Sequence, residues 1–406
     1  MRTDCRICHG TNLDLVLQLA PTPIGDQFLA EPRHQPLHPI DLYQCQDCGL
    51  AQLLYEIPPE EIYKDYIYLT GSSVGLQQHF EQYAKDVMKH AGVKRGDLVV
   101  DIGSNDGTLL EEFEKLGARG WGIEPCKQIA DVARAKGITT LQSYFRKFNF
   151  GDDLNPGKAK LITANNVVAN VNDLDSFMEG VVDLLAEDGT FVFESFYLGD
   201  VVKNMVFDFI YHEHLSAFSI RPVKYLLRRY GLQLYRVDHV STKGGSIRYY
   251  CNRYYGKRAK PLDYDYGGAD PELDPVSDYE EDYLYEARTW VAFERRINAE
   301  RDKTLEFCRK AKAEAKVIAG FGACISGTTL LYHFGLGEFI SYLIDDNPAK
   351  VERFSPGTHH KVYPTTILNT LKPDYVLALA WRFADDFESA YPDIPVIRPL
   401  PFFQVT

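Results

Sequence analysis

Short apolar runs alternate with helix-period segments along most of this chain. Asp97-Leu-Val-Val-Asp-Ile102 has the length and character of a buried strand, Gly103–Gly107 read as a loop, and Thr108–Leu116 start a helix. Gly120-Trp-Gly-Ile123 is the next strand, with Glu124 at its end. Lys160-Leu-Ile-Thr-Ala-Asn-Asn166 and Asp188-Gly-Thr-Phe-Val-Phe-Glu-Ser195 supply a fourth and a fifth. Strand, helix and strand in that order predict an α/β fold with a doubly wound sheet and a binding crevice at the carboxyl ends of its strands. Between about Tyr279 and Ala315 the spacing of Leu284, Ala287, Val291, Ile297, Leu305 and Cys308 predicts one long helix. Lys316–Gly322, a glycine-rich turn, a helix through His333 and the strand Ile340–Asp345 repeat the scheme as a C-terminal Rossmann-like domain. The expected division is a small lobe over 1–70, the doubly wound domain over 71–252, a loop and linking helix over 253–315, and the C-terminal domain over 316–406. Within the third stretch, 253–281 is rich in Tyr, Asp, Pro and Gly and reads as a surface loop.

A chain of 406 residues is too long for one ordinary core, which agrees with that division. The net charge of −13 argues against a nucleic-acid partner, because such affinity comes largely from lysine and arginine neutralising phosphates. It leaves room for a small anionic substrate held in a local basic pocket. No apolar run approaches the ~20 residues of a membrane span. The opening Met-Arg-Thr-Asp-Cys lacks the apolar segment of a secretion signal, so a cytoplasmic protein is expected.

Eight cysteines divide into two tight pairs, Cys5/Cys8 and Cys45/Cys48, and four single residues. A reducing compartment makes a disulfide framework a poor reading. Two C-x-x-C knuckles converging on one ion give the closed four-thiolate site of structural zinc, which would organise a lobe too small to bury a core of its own.

The loop Asp101-Ile-Gly-Ser-Asn-Asp-Gly107 carries the cofactor argument. A dinucleotide fingerprint needs three glycines so that bare backbone meets a pyrophosphate. Here only Gly103 and Gly107 are present, with Asp101 and Asp106 beside them. Carboxylates repel a pyrophosphate but suit S-adenosylmethionine, which has no phosphate and carries an ammonium and a sulfonium. Glu124, followed by Pro125, lies where an acidic side chain accepts both ribose hydroxyls. Asn105 sits in the loop itself, and Asn165 and Asn166 at the tip of the fourth strand, beside the methyl donor.

About a hundred residues on, Tyr211-His-Glu-His214 packs titratable groups just past the fifth strand, at the rim where α/β sheets place their chemistry. A cofactor loop followed by such a cluster points to proton removal and then methylation. Farther along, the helix start near Ser326 offers N–H groups to a phosphate, and Trp381 and Arg382 offer a stacking face and a charge.

The order of these motifs resembles the sugar C-methyltransferases that act on nucleotide-linked ketosugars, such as the NDP-hexose 3-C-methyltransferases. The resemblance covers nearly the whole chain and rests on the paired C-x-x-C lobe, Tyr66-Ile-Tyr68 ahead of Gln77-Gln-His-Phe80, the Asp101–Gly107 loop, Tyr211–His214, Gly244-Gly-Ser-Ile-Arg248 and Gly320-Phe-Gly-Ala-Cys-Ile-Ser-Gly327. It implies a sugar site lined by Tyr211, Glu213 and His214, and a C-terminal domain that helps hold the nucleotide. His214 is then the base that takes the proton next to the ketone, since imidazole titrates near neutrality. Glu213 orients an imidazole or a sugar hydroxyl. Tyr211, with Tyr66 or Tyr68, donates hydrogen bonds to the developing oxyanion. Gly244, Ser246 and Arg248 join the substrate side. Three positions depart from the family pattern: Asn170 stands where a second histidine is usual, Ser326 where lysine is frequent, and Lys243 where histidine is frequent. All three face the substrate in this reading, so an altered sugar, carbon or nucleotide is expected. Two other readings stay open: an oxygen or nitrogen acceptor on a sugar or small molecule, and a zinc-bearing binding protein that uses the donor only as an effector. The domain count is compatible with a monomer.

Overall fold

The computed structural model describes residues 1–63, 76–147, 156–240, 244–254 and 283–406. They form three sheets. The N-terminal one is antiparallel and begins with β1 (Leu13–Leu17), β2 (Leu42–Cys45) and β3 (Ala51–Leu53). The central sheet contains the parallel strands β4 (Leu98–Ile102), β5 (Arg119–Ile123), β6 (Thr140–Leu141), β7 (Ala159–Asn165) and β8 (Leu185–Phe196). Every residue of β4 is buried, as expected of a central strand covered on both faces.

The two-residue strand β9 (Ser216–Ala217) leaves the central domain and pairs with β3, so the small lobe's sheet is completed by a segment some 160 positions downstream. The chain then returns as β10 (Leu232–Val240) and β11 (Ser246–Arg253). β11 inserts antiparallel between β8 and β10, giving the order β10-β11-β8-β7-β4-β5-β6. The C-terminal sheet comprises β12 (Ile318–Phe321), β13 (Ile340–Ile344), β14 (Val362–Tyr363), β15 (Tyr375–Ala378), β16 (Val396–Arg398) and β17 (Gln404–Val405). Its order is β14-β13-β12-β15-β16-β17, parallel except at the β17 edge.

The linking helix runs Ala287–Ala313. Its buried stripe holds Trp290, Phe293, Ile297, Thr304, Cys308 and Ala311, whereas Val291, expected inside, is 47% exposed. The indole N–H of Trp290 donates to Gln44 Oε1 and to the Leu284 carbonyl, so Trp290 takes the buried position next to Val291, while Ile297 and Cys308 are buried as expected. Most of the 253–281 stretch lies outside the described residues. One apolar core runs through all three sheets and takes in Ile7, Leu17, Leu42 and Leu53 of the small lobe, which is too short to bury a core of its own. Among the described residues no helix is long and apolar enough to cross a membrane.

Candidate active site

Residues of all three parts of the chain line a cavity of about 1670 Å³, floored by the carboxyl ends of β4, β5, β7 and β8. At its base the loop after β4 turns sharply. Gly103 has φ of 70°, and a Cβ there would stand 2.4 Å from Val167 Cγ2, so only glycine serves. Asp101 lines the floor at 4% exposure, and its Oδ1 accepts from the Thr163 hydroxyl at 2.6 Å. Burial pushes its carboxyl up to about 7, against the Thr163 hydrogen bond and with help from the Glu124 carboxylate. Glu124 is also raised, again chiefly by burial; its two oxygens accept from the backbone N–H of Cys126 (2.8 Å) and Asn105 (3.1 Å).

Gly103, Asn105, Pro125, Asn165 and Asn166 share this wall. Ser104 Oγ and Asn165 Nδ2 are buried there with no partner among the described residues. Two buried carboxyls held above their ordinary range, beside unpaired polar atoms, fit a ligand that brings positive charge and hydroxyls. S-adenosylmethionine is such a ligand. Asp106 and Gly107 belong elsewhere: Asp106 Oδ1 accepts from the Thr108 hydroxyl (2.7 Å) at the helix start, and Oδ2 lies 3.3 Å from Lys136 Nζ. The expectation that Asp106 faces the cofactor is therefore corrected, because its charge is taken by the helix start and Lys136.

Tyr211, Glu213 and His214 line the adjoining wall. His214 is 7% exposed, stacks on Phe196 (4.5 Å) and lies 4.0 Å from the Tyr211 ring. Its Nδ1 lies 2.7 Å from the Phe209 carbonyl. A carbonyl only accepts, so Nδ1 carries the hydrogen and the neutral ring has its lone pair on Nε2. Asn170 ends the short helix Val168–Asn170 in the same cavity. His212 points away: its Nε2 donates to the His38 carbonyl of the small lobe (3.2 Å), and burial lowers it to about 4. It does not line the cavity with His214.

At the far end of the cavity stand Ser326, Trp381, Arg382, Lys350 and Arg398, with Gly244 nearby. Each cation has an acid beside it. Lys350 Nζ is 2.6 Å from Asp26, Arg382 is 3.3 Å from Asp208, and Arg398 contacts Asp385 and Glu388. The Trp381 indole N–H also donates to Asp208 (3.1 Å), whose carboxyl is raised by burial despite Arg382. Ser246 and Arg248 are not in the cavity wall. Arg248 is buried in β11, where its guanidinium donates to Glu194 Oε2 (3.0 and 3.1 Å) and covers the Tyr83 ring at 4.0 Å. That correction follows from strand pairing, which sets Arg248 directly opposite Glu194. Tyr66, Tyr68 and Lys243 lie outside the described residues.

Besides Lys350 and Arg398 at the far end, sequence reasoning passed over Glu194 and His79 of the wall. Glu194 is an acid near the end of β8, and His79 lies 3.9 Å from it. An acid at a strand's carboxyl end was the available signal for the first. His79 lay within the quoted Gln77–Phe80 segment without a role.

In the small lobe, Cys5, Cys8, Cys45 and Cys48 bring their sulfurs within 4.8 Å of one another, with 3.4 and 3.5 Å between the Cys5/Cys48 and Cys8/Cys45 pairs. A tetrahedron with Zn–S of about 2.3 Å has edges of about 3.8 Å, so a modest expansion fits zinc. The N–H groups of Ile7 and Gly10 point at the Cys5 and Cys8 sulfurs, at 3.4 Å each.

Three domain models match the chain in order: a zinc binding domain over 5–63, a methyltransferase domain over 76–237 and a C-methyltransferase C-terminal domain over 241–394. The C-methyltransferase NovU of Streptomyces niveus is 30% identical over 390 residues, covering 94% of this chain and 90% of that protein. Likeness to solved structures is slight. Magnesium protoporphyrin IX methyltransferase of Synechocystis PCC 6803 with bound SAM is 14% identical over 50% of this chain and 100% of that one, with a TM-score of 0.36. The PH0226 protein of Pyrococcus horikoshii OT3 is 14% identical over 48% and 98%, with a TM-score of 0.39.

Proposed function

The chain belongs to the C-methyltransferase family, and from that premise we propose that it methylates a carbon beside the ketone of a nucleotide-linked sugar. The observation that carries this reading is His214: one ring nitrogen committed to a backbone carbonyl, the ring packed on Phe196 and Tyr211, and the residue itself in the wall of the cavity that contains the acidic floor. A proton next to a ketone is acidic enough for an imidazole, because the electron pair left behind spreads onto oxygen. His214 Nε2 takes that proton, and the C–H pair becomes the enolate. Tyr211 donates to the enolate oxygen, and Glu213 holds a sugar hydroxyl. Asn170 hydrogen-bonds substrate without titrating, so it takes no part in moving the proton.

When bound, S-adenosylmethionine supplies an electrophilic methyl group, which the enolate carbon takes up. Asp101 and Glu124 hold its positive and hydroxyl-bearing parts, and Asn165 and Asn166 flank it. The cavity exceeds the ~300–1,000 Å³ of an ordinary small-molecule site, leaving room for a second large ligand. Arg382, Lys350 and Trp381 at the far end suit the nucleotide of that ligand, although the neighbouring acids offset part of their charge.

The test is mass spectrometry of a panel of 4-keto-6-deoxy nucleotide sugars, incubated with enzyme and donor in deuterated water. One methyl gained at carbon, with exchange of the alpha proton when donor is withheld, is the expected result. Methyl transfer without such exchange would point to an oxygen or nitrogen acceptor and remove the role of His214.

A further inference from the structure

Arg6 stands between Cys5 and Cys8 in the first zinc knuckle, yet its side chain is wholly buried. Its guanidinium reaches out of the small lobe. Nε donates to Asn172 Oδ1 (3.2 Å), and Nη1 to the carbonyls of Leu53 (2.5 Å) and Leu215 (3.4 Å) and to Gln52 Oε1 (3.2 Å). Nη2 pairs with Glu56 at 2.8 Å. One of these acceptors lines the active cavity and another adjoins a residue that does. Leu215 follows His214 directly, and Asn172 lies two residues past Asn170 and itself lines the cavity.

The same junction has further ties, among them Arg2 Nη1, which donates to the same Asn172 Oδ1 (3.2 Å). Leu53 N–H donates to the Leu215 carbonyl (3.0 Å), where β3 pairs with β9, and Asn172 Nδ2 donates to Glu56 (2.8 Å). The His214 segment is thus docked from outside, onto a sheet organised by the metal knuckles. A guanidinium is a rigid planar fork of five donors, so acceptors on separate segments bound to it are fixed relative to one another. Burying a charge is costly unless its hydrogen bonds are made, and here they are made across the domain junction.

We propose that Arg6 is a positioning residue: held by the zinc knuckle, it brackets the 170–172 and 211–215 segments and so sets where His214 stands against substrate. The inference rests on the reading of His214 as the base. It makes the zinc lobe part of the catalytic geometry, with the metal acting through Arg6 and β9.

The test compares wild type with Arg6→Met and Arg6→Lys. Zinc content is measured by elemental analysis, S-adenosylmethionine binding and its stoichiometry by calorimetry, and alpha-proton exchange and methylation per donor-binding site. The expected Arg6→Met enzyme keeps its zinc and binds donor within about twofold of wild type, while kcat and the exchange rate fall about tenfold to a hundredfold, the scale of a 1 Å misplacement. KM changes far less than kcat, and Arg6→Lys restores only part of the loss because one ammonium cannot span the acceptors. A purely structural role would lower the number of donor-binding sites and leave kcat per site unchanged. That result in a zinc-loaded Arg6→Met enzyme would overturn the inference. If Arg6→Met fails to load zinc, Asn172→Ala removes the far end of the bracket with the knuckle intact and is judged by the same per-site kcat. Absence of exchange in wild type would overturn the base reading and this inference with it; exchange in wild type matched by Arg6→Met would overturn this inference alone.

Discussion

Lowering the pH from 8 to 6 is expected to weaken S-adenosylmethionine binding about tenfold through Asp101. This carboxyl is 4% exposed and raised by burial to about 7, with the Thr163 hydroxyl at 2.6 Å as its main stabilising partner. Without a ligand it is therefore mostly protonated at pH 6 and mostly ionised at pH 8. A ligand bearing positive charge binds the ionised form, so the proton must leave on binding whenever the pH is below about 7. The ionised fraction rises from about one eleventh at pH 6 to about ten elevenths at pH 8, and the ratio is the predicted change in affinity. Calorimetry in two buffers of different ionisation enthalpy measures both quantities: the dissociation constant at each pH, and a release approaching one proton near pH 6. Asp101→Asn should bind more weakly and lose the pH dependence. Thr163→Val should move the midpoint upward, because it removes the hydrogen bond that favours the charged form. Affinity that is flat between pH 6 and 8, or an equal slope in Asp101→Asn, would refute the reasoning.

Three further outcomes are expected. His214→Asn should lose alpha-proton exchange by about 10²- to 10⁴-fold while donor affinity, measured by calorimetry, stays within about twofold; near-normal exchange would remove it as the base. Arg248→Met takes from buried Glu194 its guanidinium partner and leaves His79 at 3.9 Å, so urea denaturation should show about 3–5 kcal/mol less stability, and a smaller loss would mean that Glu194 takes up a proton or is served by its other neighbours. Stripping zinc with a strong chelator should release one ion per chain and lower the melting temperature, since the ion ties the two knuckles together beside the shared core; an unchanged melting temperature would show that the shared apolar core suffices.

Much of the fold was legible because it is written in short-range spacing. β4 and β7 follow from short apolar runs and the linking helix from a period of 3.6, and the paired cysteines announce their site at four positions. The cavity floor was legible for a similar reason, since a loop of seven residues holds Asp101, Gly103 and Asn105. The failures fall where a side chain had two local options. Asp106 could face cofactor or helix start, and the Thr108 hydroxyl with Lys136 took it. Arg248 could face substrate or sheet, and pairing opposite Glu194 settled it inward.

By itself the sequence determined the element order, the four sulfur ligands, the acidic donor loop and the presence of a histidine cluster at a strand end. These depend on neighbours a few residues away, where backbone period alone sets the geometry. Only the tertiary structure decided which histidine of the cluster faces the cavity, because the His38 carbonyl claims His212 and the Phe209 carbonyl orients His214. It alone decided that β9 completes the small lobe's sheet, and that Arg6 meets the Leu215 carbonyl 209 positions away. Such contacts join segments whose separation carries no period, and they exist only once the packed domains bring buried donors and acceptors within reach of one another.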